Sequence, residues 1–293
     1  MEHKSIAIIG FGDIGARVAA RLPTPWRTIA LRRRAREVPA GVRGIAIDLR
    51  RPETLACLER LAPDALLVTL SPAGRDPEAY RDGFGGAMAA LVAGCGAHRP
   101  RQAFFVSSTR VYAGNGDAYV DESSPLALDE PQAAAIVDAE ERFLGAFEGG
   151  VVLRAGGLYG HGPGPLLKAV AAGRLRPRQP LVYANRIHRD DVAGFIVHAL
   201  ATPPAANTIN LVDGCTASQQ EVEAWLCEQL RMPYDPPAAP PADASPARIK
   251  RVTNQRLRDS GYRLHYPDFR SGYADVLRQW TQYSDREDGL DLH

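Results

Sequence analysis

The chain has 293 residues, of which 45% are hydrophobic, and it carries 35 basic and 34 acidic side chains. This composition supplies enough apolar surface for a buried core, in one large domain or two. Because the charges nearly cancel, the composition gives no reason to expect a nucleic acid or an anionic membrane as a partner.

No apolar run approaches the roughly 18 residues of a membrane span, and no charged segment with a following apolar stretch opens the chain. We therefore expect a cytoplasmic protein with neither a membrane span nor a signal peptide. The four cysteines lack the close spacing of a zinc site or a disulfide framework. We expect free thiols at Cys57, Cys95, Cys215 and Cys227, and no metal site.

The first informative stretch joins a short apolar run, residues 5–9, to a Gly-x-Gly-x-x-Gly turn and then to a helical pattern. A glycine-rich turn between a strand and a helix is typical of dinucleotide-binding folds. Gly10 would allow the tight turn, Gly12 would let the backbone approach a pyrophosphate, and Gly15 would let the helix pack closely on the sheet. The amide groups at the start of that helix would bind the phosphates.

Apolar runs and helical patterns alternate through the first 155 residues, which predicts a parallel sheet with helices on both faces. The fold class is therefore α/β, a Rossmann-type doubly wound parallel sheet with a smaller C-terminal substrate-binding region. The predicted strands are 6–9, 28–31, 44–47, 65–69, 103–106, 151–153 and 208–212. The predicted helices are 14–22, 52–61, 80–97, 130–147, 254–260 and 271–283.

The composition changes after Arg154, where a loop rich in glycine and proline spans residues 156–165. We expect a cofactor-binding domain over residues 1–155, to which residues 184–213 return, and a substrate-binding region over residues 156–183 and 214–293. The proline-rich stretch 233–246 reads as an extended linker or lid, and residues 285–293 as a frayed tail.

The position that selects between nicotinamide cofactors lies about 20 residues after the glycines and normally holds an acidic residue when NAD is bound. Here Arg32, Arg33 and Arg34 occupy it. A guanidinium group pairs with a 2′-phosphate, which a carboxylate would repel, so we expect NADP rather than NAD. A solvated basic loop is the alternative reading. Asp48 is placed to meet the adenine amino group, or else to cap the following turn.

The expected cofactor contacts are completed by residues of the glycine-rich turn and by residues that follow the third and fourth strands. These are Phe11, Asp13, Ile14, Leu49, Leu70 and Ser71.

Further motifs follow in order along the chain: Ser107 to Tyr112 (SSTRVY), Asp121 to Leu126 (DESSPL), Leu158 to Gly164 (LYGHGPG) and Ile187 to Val192 (IHRDDV). In these motifs the sequence resembles the extended short-chain dehydrogenase/reductase superfamily, the group of nucleotide-sugar epimerases and dehydratases. The resemblance implies an active site in which a serine or threonine, a tyrosine and a lysine meet the nicotinamide. The tyrosine would exchange a proton with a substrate hydroxyl, and the lysine would lower the tyrosine pKa.

The resemblance assigns the hydroxyl position to Ser108, but the tyrosine and the lysine are missing. Aligning Glu140 with the acidic residue that usually follows the Tyr-x-x-x-Lys motif puts Gln132 in the tyrosine position and Ile136 in the lysine position. Misalignment does not restore the motif, because no lysine of the chain has a tyrosine four residues before it. Thr109 and Arg110 also replace the Asp-Glu pair that the resemblance implies for sugar dehydratases.

Another group must exchange the proton if the protein is an enzyme. We consider Tyr112, Tyr159 and His161 as candidate acids, with packed tyrosines and a surface histidine as the alternative reading. His188 reads as a hydrogen-bonded structural histidine. We expect Glu140 to be a helix-surface charge, and Arg154 either to bind an anionic substrate group or to stabilise the loop.

Two functions remain open. The first is an atypical NADP-dependent oxidoreductase or epimerase-like enzyme that acts on a sugar nucleotide or another small hydroxy or carbonyl substrate. The second is a catalytically inactive NADP-binding regulatory or sensor protein. The resemblance also implies a homodimer through the helices 80–97 and 130–147.

Overall fold

The structure, a computed structural model, describes residues 3–114, 118–160, 162–176, 182–237 and 249–287, with side chains up to residue 280. His161, most of the proline-rich stretch and the end of the chain lie outside these residues. Within them, no helix has the length and apolar character needed to cross a membrane. The same residues contain no cluster of histidine, cysteine, aspartate or glutamate side chains suited to a metal ion.

Seven strands of the described chain form one parallel sheet in the order β10-β7-β5-β4-β1-β2-β3. All seven predicted strands are in it, which confirms the Rossmann-type α/β class. Their bounds are β1 Lys4–Ile9, β2 Trp26–Arg32, β3 Arg43–Ala46, β4 Ala65–Thr69, β5 Gln102–Ser108, β7 Gly150–Ala155 and β10 Thr208–Leu211. Two short parallel pairs join β6 Tyr119–Val120 to β11 Arg251–Val252, and β8 Gly157–Tyr159 to β9 Arg186–His188.

Helices cover both faces of the sheet. They are α1 Asp13–Arg21, α2 Cys57–Leu61, α3 Pro77–Tyr80, α4 Ala87–Gly94, α5 Pro131–Ala146, α6 Gly164–Ala171, α7 Arg189–Ala201, α8 Gln219–Gln229, α9 Gln255–Asp259 and α10 Phe269–Glu287. Along β1, Ala7 and Ile9 pack in one buried cluster while Ile6 and Ile8 pack in another. Since successive strand residues point to opposite faces, these clusters are the two cores on either side of the sheet.

The predicted helix 80–97 is interrupted: a π-helical segment, Arg81–Gly86, separates α3 from α4. Its glycines lie where other chain segments come close. A side chain on Gly83 would approach the Cα of Pro72 to 2.7 Å, and one on Gly85 would overlap the Asp138 carboxylate of α5. Close contact at this segment therefore explains glycines that would weaken an ordinary helix.

The second half of the chain builds a third core from α6, α8 and α10, in which Leu167, Leu226 and Phe269 are fully buried. The sequence patterns did not predict α6, α7 or α8. This core includes Cys215 and Ala217, which follow the carboxyl end of β10. The glycine-rich turn also follows the carboxyl end of a strand of this parallel sheet, β1.

Candidate functional site

The glycine-rich turn connects β1 to α1 at the carboxyl edge of the sheet. Gly10 has a φ of +73°, and the Thr69 hydroxyl donates to its carbonyl oxygen at 2.7 Å. A side chain on Gly10 would overlap the carbonyl oxygen of Thr69. Both the positive φ and the contact with β4 therefore require glycine at this position.

The other two glycines differ in what surrounds them. A Cβ on Gly15 would lie 3.0 Å from Ile8 and 3.1 Å from Phe11, so this glycine lets α1 pack on the sheet. A Cβ on Gly12 would meet only the Gly10 carbonyl oxygen, at 3.7 Å. The protein itself therefore leaves room for a side chain at Gly12, and this room lies at the N-terminus of α1, where a phosphate is favourable.

Asp13, the first residue of α1, is turned toward α7 by two arginines. Arg17 donates to its carboxylate at 3.0 Å and Arg189 at 3.1 Å. Burial opposes ionisation of Asp13, but the hydrogen bonds and charges of these arginines outweigh it and hold its pKa below the usual value. The negative charge of Asp13 at the N-terminus of α1 is thereby balanced by two guanidinium groups.

Arg17 also connects α1 to the loop that follows β8. Its guanidinium lies 2.5 Å from the carboxylate of Asp190 and donates to the Gly160 carbonyl oxygen at 3.0 Å. The same side chain thus contacts the first residue of α1, the start of α7 and the glycine-rich loop after β8. No sequence motif marked Arg17 for this connection.

The arginines after β2 do not share one environment. Arg32 donates to the Glu37 carbonyl oxygen at 2.7 Å, and Arg34 lies 3.5 Å from the Glu37 carboxylate. Arg33 is exposed and has no carboxylate partner within ion-pair distance among the described residues. Of the three, Arg33 is the guanidinium most available to a ligand phosphate.

The remaining predicted cofactor residues follow β3 and β4 at the same edge. The side chain and backbone of Arg50 hydrogen-bond the Asp48 carboxylate and lower its pKa to about 2. By accepting the Arg50 amide, Asp48 caps the turn after β3, which is one of the two roles expected for it. Leu49 and Leu70 are half-buried, and Ser71 is exposed.

Ser108 ends β5 at the carboxyl edge, two strands from β1 in the sheet. Its hydroxyl oxygen accepts a hydrogen bond from the Arg110 amide at 3.1 Å and caps the short helical turn Thr109–Val111. The side chain is half-buried. Its hydroxyl proton can still be donated to a ligand, because the known bond uses only the oxygen as acceptor.

A buried hydrogen-bonded network stands directly behind this serine turn. Glu140 of α5 is only 3% exposed; its carboxylate accepts from Ser107 at 2.5 Å and pairs with Arg154 at 2.7 Å. Arg154 also donates to the Tyr112 hydroxyl at 3.0 Å, and that hydroxyl donates to Asn210 at 2.6 Å. The network joins α5 to β5, β7 and β10.

This network corrects the expectation for Glu140 and removes one of the two alternatives for Arg154. Glu140 is not a helix-surface charge, because the side of α5 that carries it faces Arg154 on the buried strand β7. Arg154 is not placed to bind a substrate anion, because Glu140 and Tyr112 occupy its guanidinium. Burial opposes the charge of Arg154, but the bond and charge of Glu140 outweigh it and raise the Arg154 pKa.

The two residues aligned with the missing tyrosine and lysine, Gln132 and Ile136, lie earlier on α5. Ile136, one turn before Glu140, is 1% exposed and packs in the core. Gln132, two turns before it, donates to the Arg75 carbonyl oxygen at 3.3 Å. The residues at the two aligned positions therefore make packing and backbone contacts, and neither transfers protons at physiological pH.

The candidate acids occupy different environments. Tyr112 is fully buried, and burial raises its pKa to about 12. Tyr159 is buried in the third core, where its ring stacks on Tyr273 with centroids 4.8 Å apart, and burial raises its pKa as well. His161 lies outside the described residues. His188 caps α7 by accepting from the Asp190 amide at 3.2 Å, and burial lowers its pKa.

Sequence reasoning missed one cation at the serine turn. The Lys250 ammonium donates to the carbonyl oxygen of Tyr112 at 2.9 Å and to that of Arg110 at 3.4 Å. Asn185 binds the Lys250 carbonyl oxygen at 3.0 Å, and the pairing of β11 with β6 holds the following residues. No local signal could reveal this contact, because more than 130 residues separate the lysine from the turn.

These features together define a Rossmann-type α/β protein whose glycine-rich turn and serine turn share one edge of a parallel sheet. Comparison with known proteins shows which solved structures share this fold. No protein-family model matches the sequence, and no curated protein matches it either. Solved structures match over nearly the whole chain.

A Methylobacillus flagellatus protein assigned as an NAD-dependent epimerase/dehydratase is 28% identical, with a TM-score of 0.77 over 95% of this chain and 99% of that one. UDP-glucose 4-epimerase from Thermotoga maritima, solved with UDP-glucose, is 15% identical with a TM-score of 0.79, over 96% and 99% of the two chains. Bordetella bronchiseptica WbmG, solved with NAD and UDP, is 17% identical with a TM-score of 0.79, over 96% of each chain. The structural neighbours are thus epimerase/dehydratase enzymes, which confirms the resemblance at the level of the fold.

Proposed function

We propose that the protein binds NADP in the crevice at the carboxyl edge of β1, β2 and β4 and acts on a sugar nucleotide or a related hydroxy or carbonyl compound. The observation that carries the nucleotide site is Gly12, which has space for a side chain but lies at the N-terminus of α1. Neighbours of the same fold were solved with NAD and with UDP or UDP-glucose. When bound, a nicotinamide would accept or donate a hydride.

The preference for NADP is supported by Arg33, because its neighbours Arg32 and Arg34 already contact Glu37. We expect NADPH to bind at least about tenfold more tightly than NADH, equivalent to about 1.4 kcal/mol. Arg33→Ala should remove this difference by weakening NADPH binding and leave NADH binding unchanged. Titration of cofactor fluorescence measures both affinities.

Arg43→Ala is the matched control, since Arg43 is also an exposed arginine but begins β3 at the opposite, amino edge of the sheet. That variant should bind both cofactors as the unaltered protein does. Equal affinities for NADPH and NADH, or tighter binding of NADH, would show that the arginines form only a solvated basic loop.

The chemistry that these residues support is hydrogen bonding to a carbonyl or hydroxyl oxygen beside the nicotinamide. Ser108 supplies the hydroxyl proton, and its oxygen is oriented by the Arg110 amide. Lys250 stabilises the same turn through the carbonyl oxygens of residues 110 and 112. We keep His161 as the candidate for exchanging the substrate proton, because an imidazole has an ordinary pKa of about 6.5.

Ser108→Ala is expected to lower turnover at least about tenfold, the scale of losing one hydrogen bond to a reacting oxygen. The measurement is oxidation of NADPH with a panel of nucleotide sugars and small carbonyl compounds. Ser123→Ala is the control, because Ser123 is exposed and, among the described residues, its hydroxyl bonds only to Asp121 of its own loop. Undiminished turnover in Ser108→Ala would remove the serine from the reaction.

The second function is an NADP-binding protein without oxidoreductase activity. The burial of Ile136, Tyr112 and Tyr159 favours it, since none of these side chains can exchange a proton with a substrate in the crevice. In that case NADPH would bind and raise the thermal stability of the protein, while no compound of the panel would be turned over.

The homodimer through α4 and α5 stays a prediction. The small exposed residues Ala93 and Gly145 on these helices are compatible with close approach of a second copy.

A further inference from the structure

A cavity of about 450 Å³ lies outside the cofactor crevice, beyond the edge strand β10. Strand β10 is four strands away from β1, which corresponds to about 19 Å at the usual strand spacing. The volume falls within the range of small-molecule sites. Among its lining residues are Tyr119, Asp121, Asp213, Thr216 and Asn254.

The cavity forms where other segments cover the open edge of the sheet. The Glu122 carboxylate accepts a hydrogen bond from the backbone amide of Asn210 on β10 at 2.8 Å. Arg256 donates to the Thr208 carbonyl oxygen at 3.0 Å. These bonds bring β6 and α9 against β10, and the cavity lies between them and the loop 213–216. Its walls are therefore tied to the sheet by bonds on both sides.

The carboxylate of Asp213 is the central polar group of this cavity. The residue is 5% exposed, and its Oδ1 accepts from the Cys215 amide at 3.0 Å. No other donor within the described ranges reaches the carboxylate. The remaining acceptor capacity of this carboxyl group therefore faces the cavity, where a water or a ligand can bind it.

Two neighbouring groups offer the same capacity. Asn254 is buried and donates through Nδ2 to the Val212 carbonyl oxygen at 3.1 Å, while its Oδ1 accepts nothing from the described part of the chain. The Thr216 hydroxyl lines the cavity and likewise has no hydrogen-bond partner among those residues. Each of these groups can therefore bond a ligand hydroxyl or amide.

The chemistry of the lining favours an uncharged ligand. Tyr119 is 55% exposed and lines the cavity, with the Arg251 guanidinium over its ring at 5.6 Å from the centroid. The Asp213 carboxyl oxygens accept hydrogen bonds, and the Thr216 hydroxyl can both donate and accept. Asp121 and Arg258 carry opposite charges, and burial raises the pKa of the remaining carboxyl group of the lining, Asp213, to about 7. The lining therefore selects neither an anion nor a cation. An aromatic ring beside several hydroxyl-bonding groups matches the alternating apolar and hydroxyl-bearing surface of a sugar ring.

We infer that this cavity is a second ligand site, separate from the nucleotide crevice, that binds a neutral saccharide. The site is coupled to the serine turn through one residue. Asn210 donates to the Thr253 carbonyl oxygen, beside the cavity, at 3.2 Å and accepts from the Tyr112 hydroxyl. The wall of the saccharide site is therefore hydrogen-bonded, through Asn210 and Tyr112, to the buried network next to the Ser108 turn.

The test is titration of the full chain with methyl β-glucoside and with the methyl glycoside of N-acetylglucosamine, followed by calorimetry and by NMR of the protein amides. We expect saturable binding that Tyr119→Ala and Asp213→Asn each weaken at least about fivefold, or about 1 kcal/mol. Tyr119→Ala removes a half-exposed side chain that contacts Arg251, so circular dichroism and thermal unfolding of the variant establish that its fold is kept. Leu128→Ala is the control, because Leu128 is 62% exposed and lies outside the cavity lining.

Absence of saturable binding for both glycosides would overturn the inference, and so would binding that neither variant weakens. Displacement of the bound glycoside by UDP-glucose would also overturn it, because the glycoside would then occupy the substrate crevice. NADPH affinity measured on the same samples keeps the two proposals apart. If NADPH does not bind but the glycosides still do, the proposed function is wrong and the saccharide site is kept.

Discussion

Glu140→Ala is expected to destabilise the protein by about 3–5 kcal/mol, the cost of leaving a buried charge without its partner. The Arg154 guanidinium would lose its bonds to both Glu140 carboxylate oxygens, Oε2 at 2.7 Å and Oε1 at 3.1 Å, and Ser107 would lose its acceptor. Tyr112 and Asn210 cannot replace a negative charge. Urea unfolding followed by circular dichroism measures the difference in the free energy of unfolding.

Asp138→Ala on the same helix is the matched control. Asp138 pairs with Arg142 at 2.9 Å, but the two side chains are 45% and 49% exposed, so the pair is worth about 0–1 kcal/mol. Similar losses of stability in the two variants would contradict the buried ion pair. Glu140→Gln should fall between them, since the amide keeps a hydrogen-bond acceptor for Ser107 but carries no charge.

Glu140 shows how far the sequence determines the site. The sequence predicted a helix over residues 130–147, and Glu140 lies within α5, so its place in the secondary structure was predicted. Its surroundings were predicted wrongly, because the neighbours Asp138, Glu141 and Arg142 are all charged, as on a solvated helix face. The missing information was the partner, Arg154, inside the apolar strand β7; a lone arginine in such a run needs a buried carboxylate.

The sheet was predicted well because its strands are short apolar runs separated by polar turns, and burial on both faces produces that pattern. The helices of the second half lack such contrast. Helix α8 still carried a recognisable signal, since Ser218 and Glu221 form a reciprocal capping box at its start. The contact of Lys250 with the serine turn carried none, because only the long-range pairing of β6 with β11 produces it.

Gly12→Ala is expected to weaken NADPH binding at least about 100-fold, equivalent to about 2.7 kcal/mol, while the thermal midpoint shifts by less than about 2 °C. The protein offers the new methyl group space, with 3.7 Å to the nearest atom, and Gly12 does not have a positive φ. Only a bound phosphate would contact it. Cofactor fluorescence and thermal unfolding measure the two quantities on one sample.

Two further glycines separate the possible causes of any effect. Gly10→Ala should lower both stability and NADPH affinity, because its Cβ overlaps the Thr69 carbonyl oxygen. Gly41→Ala has a similar positive φ, +81°, but no neighbour within 4 Å, so it should cost only about 1 kcal/mol of backbone strain and leave NADPH binding intact. Unchanged NADPH affinity in Gly12→Ala would place the phosphates elsewhere and remove the nucleotide site. A loss of stability comparable to that of Gly10→Ala would instead show that Gly12 serves the fold, although its φ is negative and its Cβ would have space.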